Sequence, residues 1–305
     1  MRVIRKPEKA GERVIALGTF DGVHEGHRSL LRTAYGYARA EGIPLRVCTF
    51  DRHPLEVICP DKAPPLLTTI PEKARELCRL GVDETELIPF DRREADTEPE
   101  AFLEALCRTV KVRAVVAGWN YTFGKGGRGN AEMLQEDGKR NGYDVLIEPP
   151  ATLPDGTAIS STLVREYLLA GRAEEAADLL GYPYSLTGTV VEGKHLGRKL
   201  GFATANIRAY ERKALPAYGV YTCRLETTED CWPAVVNIGT QPTFPSGKVT
   251  VEAHTLTGTP ELYGRKVRLT LLGMLRPEHQ FAGSAELSEQ IERDREVAMK
   301  YFDMA

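Results

Sequence analysis

Two histidines three residues apart, His24 and His27, close the segment Gly18-Thr19-Phe20-Asp21-Gly22-Val23-His24-Glu25-Gly26-His27, just ahead of a stretch with helical periodicity. A helix N-terminus carries unpaired N–H groups and the positive end of the helix dipole, so it draws phosphate. Imidazole N–H groups placed there can stabilise charge growing on a phosphoryl oxygen as a leaving group departs. Gly22 and Gly26 let backbone come close to such a ligand. A second helix start repeats the logic: Ser160, Ser161 and Thr162 supply three hydroxyls, and Arg165, one turn on, can fork onto two phosphate oxygens. Taken alone, each motif has a plainer reading, a pair of surface histidines on a turn and ordinary capping by one serine.

A third set lies further along. Gly193, Lys194, Gly197 and Arg198 belong to a glycine-punctuated basic loop whose amides and cations suit a polyphosphate, a solvated hairpin being the plainer alternative. Phe202-Ala203-Thr204-Ala205-Asn206 follows. On an extended chain the Thr204 hydroxyl and the Asn206 amide oxygen point to one side, and Mg2+ takes such oxygens while phosphates fill the rest of its shell. In KVTVEAHTL, alternation separates Val249, Val251 and Ala253 from Thr250, Glu252 and His254. A mid-strand glutamate is more often simply solvent-facing, but one that faces a cavity can accept the proton of a hydroxyl attacking phosphorus.

The elements that must hold these groups fall into two textures. From Arg13 to about Tyr182, short apolar runs (VIALG, PLRVCTF, VRAVVAG, YDVLIEP) alternate with helical stretches (HRSLLRTAYGYARAEG, IPEKARELCRLG, EPEAFLEALCRTV). Strand and helix in repetition predict an open α/β domain whose parallel sheet is covered on both faces, with ligands at the carboxyl ends of its strands. The loops GTFDGVHEGH and GWNYTFGKGGRGN fall there. After STLVREYLLAGRAEEAADLLGYP come β-branched alternating runs (SLTGTVVEG, GVYTCRLE, PAVVNIG, KVTVEAHTL, KVRLTLLGML) between Gly and Pro clusters, which predict a small antiparallel β-barrel or sandwich. A last helix starts near Ser284, a plausible N-cap, with Leu287, Ile291, Ala298 and Phe302 on one face. The expected domains are residues 1–183 and 184–305, divided at Tyr182-Pro183.

Length agrees, since 305 residues is about two domains' worth of chain. Hydrophobic residues at 42% and charged ones at 27% are ordinary globular usage, which argues against a disordered, collagen-like or coiled-coil chain. With 40 Lys and Arg against 43 acids, there is no overall field to hold nucleic acid or an anionic membrane. No apolar run approaches a bilayer span and the start is too polar for a signal peptide, so the expected location is cytoplasmic. Six scattered cysteines form no CxxC pair and read as reduced thiols. A homo-oligomer is left open. Gly124 to Gly129 satisfies the dinucleotide pattern GxGxxG, yet six residues separate Gly118 from Gly124, where the fingerprint should begin as its strand ends. A loop closing over substrate is the better reading. No GxxxxGK[ST] occurs.

GTFDGVHEGH with ISSTLVR resembles the HxGH-type nucleotidyltransferase superfamily, and specifically the adenylyltransferase half of the bacterial bifunctional riboflavin kinase/FAD synthetase family; TFDRHP, LLTTIPEK and GWNYTFGKGGRG are similar to that family's other stretches, in order. The barrel half resembles its riboflavin kinase domain, from SLTGTVVEG through VVNIGTQPTF, VEAHTL and LRPEHQF to the terminal helix with Asp294. The likeness implies two ATP- and Mg2+-dependent steps, riboflavin to FMN with ADP released, and FMN to FAD with pyrophosphate released. It further implies that His24, His27 and Arg165 serve adenylyl transfer, with Gly18, Phe20, Asp21, Asn120, Arg128, Ser160, Ser161 and Thr162 around the nucleotide. In the barrel it implies Thr204 and Asn206 at Mg2+ and phosphates, Glu252 as base for the 5′-hydroxyl of the ribityl chain, and Arg276 and Phe281 near the flavin. The family usually has Asp-Phe at Asn120-Tyr121, often Arg at Leu163, and Pro at Ala203. Losing Pro frees a φ angle but keeps the ligand atoms, so weaker binding is expected before lost chemistry. Two alternatives stand beside the bifunctional reading: a single surviving activity, and a flavin-sensing module without turnover.

Overall fold

The computed structural model describes residues 1–5, 10–192, 204–240 and 249–303, which divide into two compact units, Met1–Ser161 and Thr162–Ala305. In the first, six strands β1 (Arg2–Ile4), β2 (Ala10–Leu17), β3 (Leu45–Phe50), β4 (Glu84–Ile88), β5 (Val110–Gly118) and β6 (Asp144–Glu148) pair in the order β1-β4-β3-β2-β5-β6, every pair parallel. Parallel strands need crossovers, and helices α1 (Glu25–Glu41), α2 (Leu55–Ile58), α3 (Ile70–Arg79), α4 (Arg92–Ala95), α5 (Pro99–Thr109) and α6 (Ala131–Asn141) lie in those connections. Strand alternation sorts the core into two layers. Val14 and Ala16 of β2 pack with Leu30, Leu31, Ala34 and Ala38 of α1, whereas Ile15 and Leu17 pack with Phe102, Leu103 and Leu106 of α5 and Leu134 of α6. Burying each of these leucines stabilises the fold by roughly 1.5–3 kcal/mol.

The chain builds outward from β2 through β3 to β4, then returns to the other side of β2 as β5. That reversal opens a crevice at the carboxyl ends of β2 and β5. Gly18–His24 and the loop after Gly118 are the segments that leave those two strand ends.

β4 escapes the apolar pattern because two of its residues are ion-paired glutamates. Arg46 of β3 is fully buried and donates to Glu84 (2.9 Å) and Glu86 (3.1 Å), and Arg13 also bonds Glu84 (2.9 Å).

The second unit opens with helices α7 (Ser161–Leu169, its first residue in the preceding unit) and α8 (Ala173–Leu180). Strands β7 (Ser185–Val191), β8 (Thr204–Ala209), β9 (Gly219–Glu226), β10 (Cys231–Thr240), β11 (Val249–Thr255) and β12 (Lys266–Pro277) form a closed antiparallel barrel in the order β10-β11-β8-β7-β12-β9. Its inside is apolar, as in the cross-strand pairs Val236↔Ala253 and Ile238↔Val251. Helix α9 (Ser284–Tyr301) follows; Gly283, rather than Ser284, holds the N-cap position, and Ala298 and Phe302 pack on Val220, Val235 and Leu256.

The packing boundary at Ser161 lies upstream of Tyr182-Pro183 because α7 and α8 lean on the barrel. Ala217 N–H donates to the Leu168 carbonyl (2.8 Å), and a Cβ on Gly171 would sit 2.6 Å from the Met274 sulfur.

Candidate active sites

In the first unit the turn after β2 is strained. Phe20 (φ 49°) and Val23 (φ 43°) both adopt left-handed backbone. For a β-branched valine this is an outlier, and each such residue costs on the order of 1–3 kcal/mol, a cost that surrounding structure must offset. Both side chains are fully buried. Gly22 (φ 82°) completes the turn, which delivers His24 to the N-cap position of α1.

The two imidazoles then stack, ring centroids 3.8 Å apart and 25° between planes, with Phe20 behind His27 at 5.1 Å. Gly26 permits the stack, since a Cβ there would lie 3.2 Å from the His24 ring. The stack sits on the first turn of α1, at the carboxyl end of the central strand. Burial, then the neighbouring His24 and the Lys73 ammonium, push the His27 pKa well below its ordinary value. His27 is therefore a neutral imidazole near pH 7, one nitrogen donating and the other accepting. Its Nδ1 is buried with no hydrogen-bond partner among the described residues.

Lys73 is the member of this site that spacing did not single out. Thr69 and Glu72 form a capping box at the start of α3, which sets Lys73 on the first turn. Its ammonium donates to the Thr19 carbonyl (2.6 Å) and lies 3.4 Å from Thr49 Oγ1. Burial lowers its pKa, while the Asp21 carboxylate favours the charged form. In the sequence Lys73 ends the stretch LLTTIPEK, and in the structure α3 buries Glu72, Lys73 and Glu76 beside Leu77, the reverse of an ordinary amphipathic helix.

The other expected residues divide between exposed and hydrogen-bonded structural positions. The Asp21 carboxylate accepts from Leu67 N–H (3.1 Å), Thr68 N–H (3.0 Å) and the Thr68 hydroxyl (3.3 Å), stapling that segment to the turn after β2. The Ser161 hydroxyl donates to the Asp21 carbonyl (2.8 Å), which brings the ISSTLVR segment's Ser161 to the HEGH turn. Gly18 lies against the Phe20 ring, and Ser160 is half-buried beside Ser161. Asn120 is exposed after β5, next to the half-exposed Trp119. Arg128 pairs with Glu98, and Lys125 N–H donates to the Thr97 carbonyl (2.7 Å), so the glycine loop rests on the start of α5. Thr162 and Arg165 lie on α7 in the second unit.

In the barrel, Gly193, Lys194, Gly197, Arg198, Phe202 and Ala203 lie outside the described residues. Thr204, Asn206 and Glu252 are described and converge. Glu252 pairs in register with Asn206 on one side and with Asn237 on the other, and His254 pairs with Thr204. Cross-strand partners share a face, so these groups occupy the row opposite to the buried Val251 and Ala253. Asn237 was not expected from spacing, although it interrupts the apolar run from Ala234 to Ile238. Along the same side, Arg276 of β12 pairs with Val220 of β9, bonds Asp294 of α9 through Nη2 (2.8 Å) and Nε (3.0 Å), and its guanidinium lies over the Phe281 ring at 5.5 Å. Arg276 and Phe281, each expected near a flavin, are thus neighbours.

Among the described residues no three His, Cys, Asp or Glu cluster to hold a metal ion. Thr204 and Asn206 offer neutral oxygens on one face, a donor set that suits Mg2+ when phosphates and waters supply its remaining ligands.

Comparisons with known proteins cover both halves. The chain matches the family described as FAD synthetase over residues 6–163 and that described as riboflavin kinase over residues 180–302. It is 38% identical to a bifunctional riboflavin kinase/FMN adenylyltransferase of Escherichia coli K12, over 95% of this chain and 93% of that one. Identity to the protein of the same name from Bacillus subtilis is 33%, over 97% and 94%. A crystal structure of a macrolide-efflux protein from Streptococcus pneumoniae superposes with a TM-score of 0.87 at 31% identity, covering 98% of this chain and 99% of that one. No helix among the described residues is long and apolar enough to cross a membrane.

Proposed function

The chain belongs to the bifunctional riboflavin kinase/FMN adenylyltransferase family, with its FAD synthetase domain N-terminal and its riboflavin kinase domain C-terminal, and on that premise we propose that the His24/His27 turn carries adenylyl transfer and the Asn206/Glu252 row carries phosphorylation. The neutral, stacked His27 at a helix start is the observation that supports the first assignment most strongly.

In adenylyl transfer an FMN phosphate oxygen attacks the α-phosphorus of ATP and the bond to pyrophosphate breaks. A neutral imidazole donates a hydrogen bond to an oxygen gaining charge without giving up its proton. The α1 N-terminus adds dipolar attraction for the phosphates. Within the first unit Ser160, Ser161, Asn120 and Arg128 complete the proposed set, with Gly18, Phe20 and Asp21 shaping the turn; Thr162 and Arg165 are proposed for the same step on the resemblance of ISSTLVR to the family's motif.

In the kinase step the riboflavin 5′-hydroxyl attacks the γ-phosphorus, Glu252 accepts the hydroxyl proton and ADP leaves. Thr204 and Asn206 would hold Mg2+, which when bound neutralises charge on the transferring phosphate. Arg276 and Phe281 form a planar cation–aromatic pair suited to a flavin ring. Catalysis in both steps comes from positioning and charge stabilisation, without a covalent enzyme intermediate. The domains are assigned as 1–183 and 184–305. A cytoplasmic location, where thiols stay reduced, suits the six unpaired cysteines.

The decisive experiment incubates the purified chain with riboflavin plus MgATP, and separately with FMN plus MgATP, and resolves the flavins chromatographically. FMN followed by FAD is expected from the first mixture and FAD from the second. A flavin that is retained without any new peak would mean a sensor.

A further inference from the structure

We propose that Lys73 is a positioning residue for adenylyl transfer: its ammonium clamps the Thr19 carbonyl at the root of the left-handed Phe20–Val23 turn, and so holds the His24/His27 stack in place. The inference rests on the assignment of that stack to the adenylyl site. Thr19 is the last residue before the strain begins, and its carbonyl receives both Lys73 Nζ (2.6 Å) and the Thr49 hydroxyl (3.0 Å). The turn is thereby fixed to α3 and to the end of β3, two elements that do not themselves bear the histidines. A left-handed valine persists only where its surroundings over-determine it. Asp21 contributes the second attachment, through Leu67 and Thr68.

The same ammonium has an electrostatic role. Among the described residues of its unit, the titratable groups facing His27 are His24 and Lys73, both of which disfavour its imidazolium form; Asp21 in turn faces Lys73. This buried cation therefore favours neutral His27 against anionic substrates, which would promote its protonation. Nothing in this role requires Lys73 to touch ATP or FMN, which separates it from a phosphate-binding lysine.

The test uses the full chain with Lys73→Met, Lys73→Gln and Lys73→Arg. His27 is titrated through its Cε1–H resonance, identified by its loss in His27→Asn, and kcat for FMN adenylylation is measured against pH. Removing the charge in Lys73→Met should raise the His27 pKa, move the acid limb of kcat upward with it, and lower kcat at least tenfold with KM changed much less. Lys73→Gln should show the same titration shift with a smaller kcat loss, because its amide can still donate to Thr19. Lys73→Arg should titrate like the parent. Riboflavin kinase activity, housed in the other unit, should persist in all three. If Lys73→Gln or Lys73→Met is folded yet leaves the His27 titration and the acid limb unmoved, the proposal is overturned. Full FAD synthesis by His27→Ala would instead overturn the site assignment beneath it.

Discussion

Glu252 on β11 faces Asn206 on β8, residue against residue in an antiparallel ladder. Directly opposed side chains start from Cβ atoms roughly 4.5–5.5 Å apart, so the proposed proton acceptor and the proposed metal–phosphate ligand are fixed relative to each other before any substrate arrives. The same ladder sets Asn237 against the other flank of Glu252. Replacing Glu252 by Gln keeps the shape and removes the acceptor. FMN formation from riboflavin should fall by roughly 10²–10⁴-fold, while conversion of FMN to FAD continues at the parental rate, as separate flavin assays with each substrate would show.

His27→Ala removes the neutral donor at the start of α1. FAD formation should drop about 10²–10³-fold in kcat, and FMN made from riboflavin should accumulate. Because the folded His27 pKa lies well below its ordinary 6.5, activity of the parent should stay flat as pH falls through 6.5 and decline only at lower pH. An acid limb centred at 6.5 or above would contradict the neutral-donor role.

Arg128 is tied to Glu98 at the protein surface. Exposed pairs contribute only about 0–1 kcal/mol, so Glu98→Ala should leave the melting temperature nearly unchanged. If Arg128 leaves this partner to meet nucleotide, Glu98→Ala lowers KM for ATP in the adenylyl assay and Arg128→Ala raises it. Equal KM values in both variants and the parent would remove Arg128 from the site.

Glu84 reports on stability rather than chemistry. Burial alone would raise its pKa, but hydrogen bonds from Arg13 and Arg46 outweigh that and hold it below the ordinary 4.5. A depressed carboxyl contributes stability that is present above 4.5 and lost as pH falls through the lower folded value. Acid unfolding of the first unit should therefore steepen below that point, and Glu84→Gln should flatten the dependence. At pH 7 the same change should cost about 3–5 kcal/mol by denaturant melts, because the fully buried Arg46 keeps only Glu86 to compensate its charge.

Much of this molecule is legible from residue order alone. Period-two and period-3.6 patterns are local properties, so the parallel α/β half, the β-rich half and the His24/His27 pair at a helix start are all readable without coordinates. β4 has no apolar run to mark it; Arg46 and Arg13, dozens of residues away, are what let its glutamates sit in the strand Glu84–Ile88. Lys73 lies in the stretch LLTTIPEK, but its contact with the Thr19 carbonyl joins residues 54 apart and carries no spacing signal. Spacing could place Thr204, Asn206 and Glu252 on strands, yet which residue stands opposite which depends on register, and register is set by strands far apart in the chain. The sequence by itself determined which chemical groups are present and which elements carry them. Tertiary structure alone decided their neighbours, because pairing energies, desolvation and charge–charge effects act across space and leave no period in the chain.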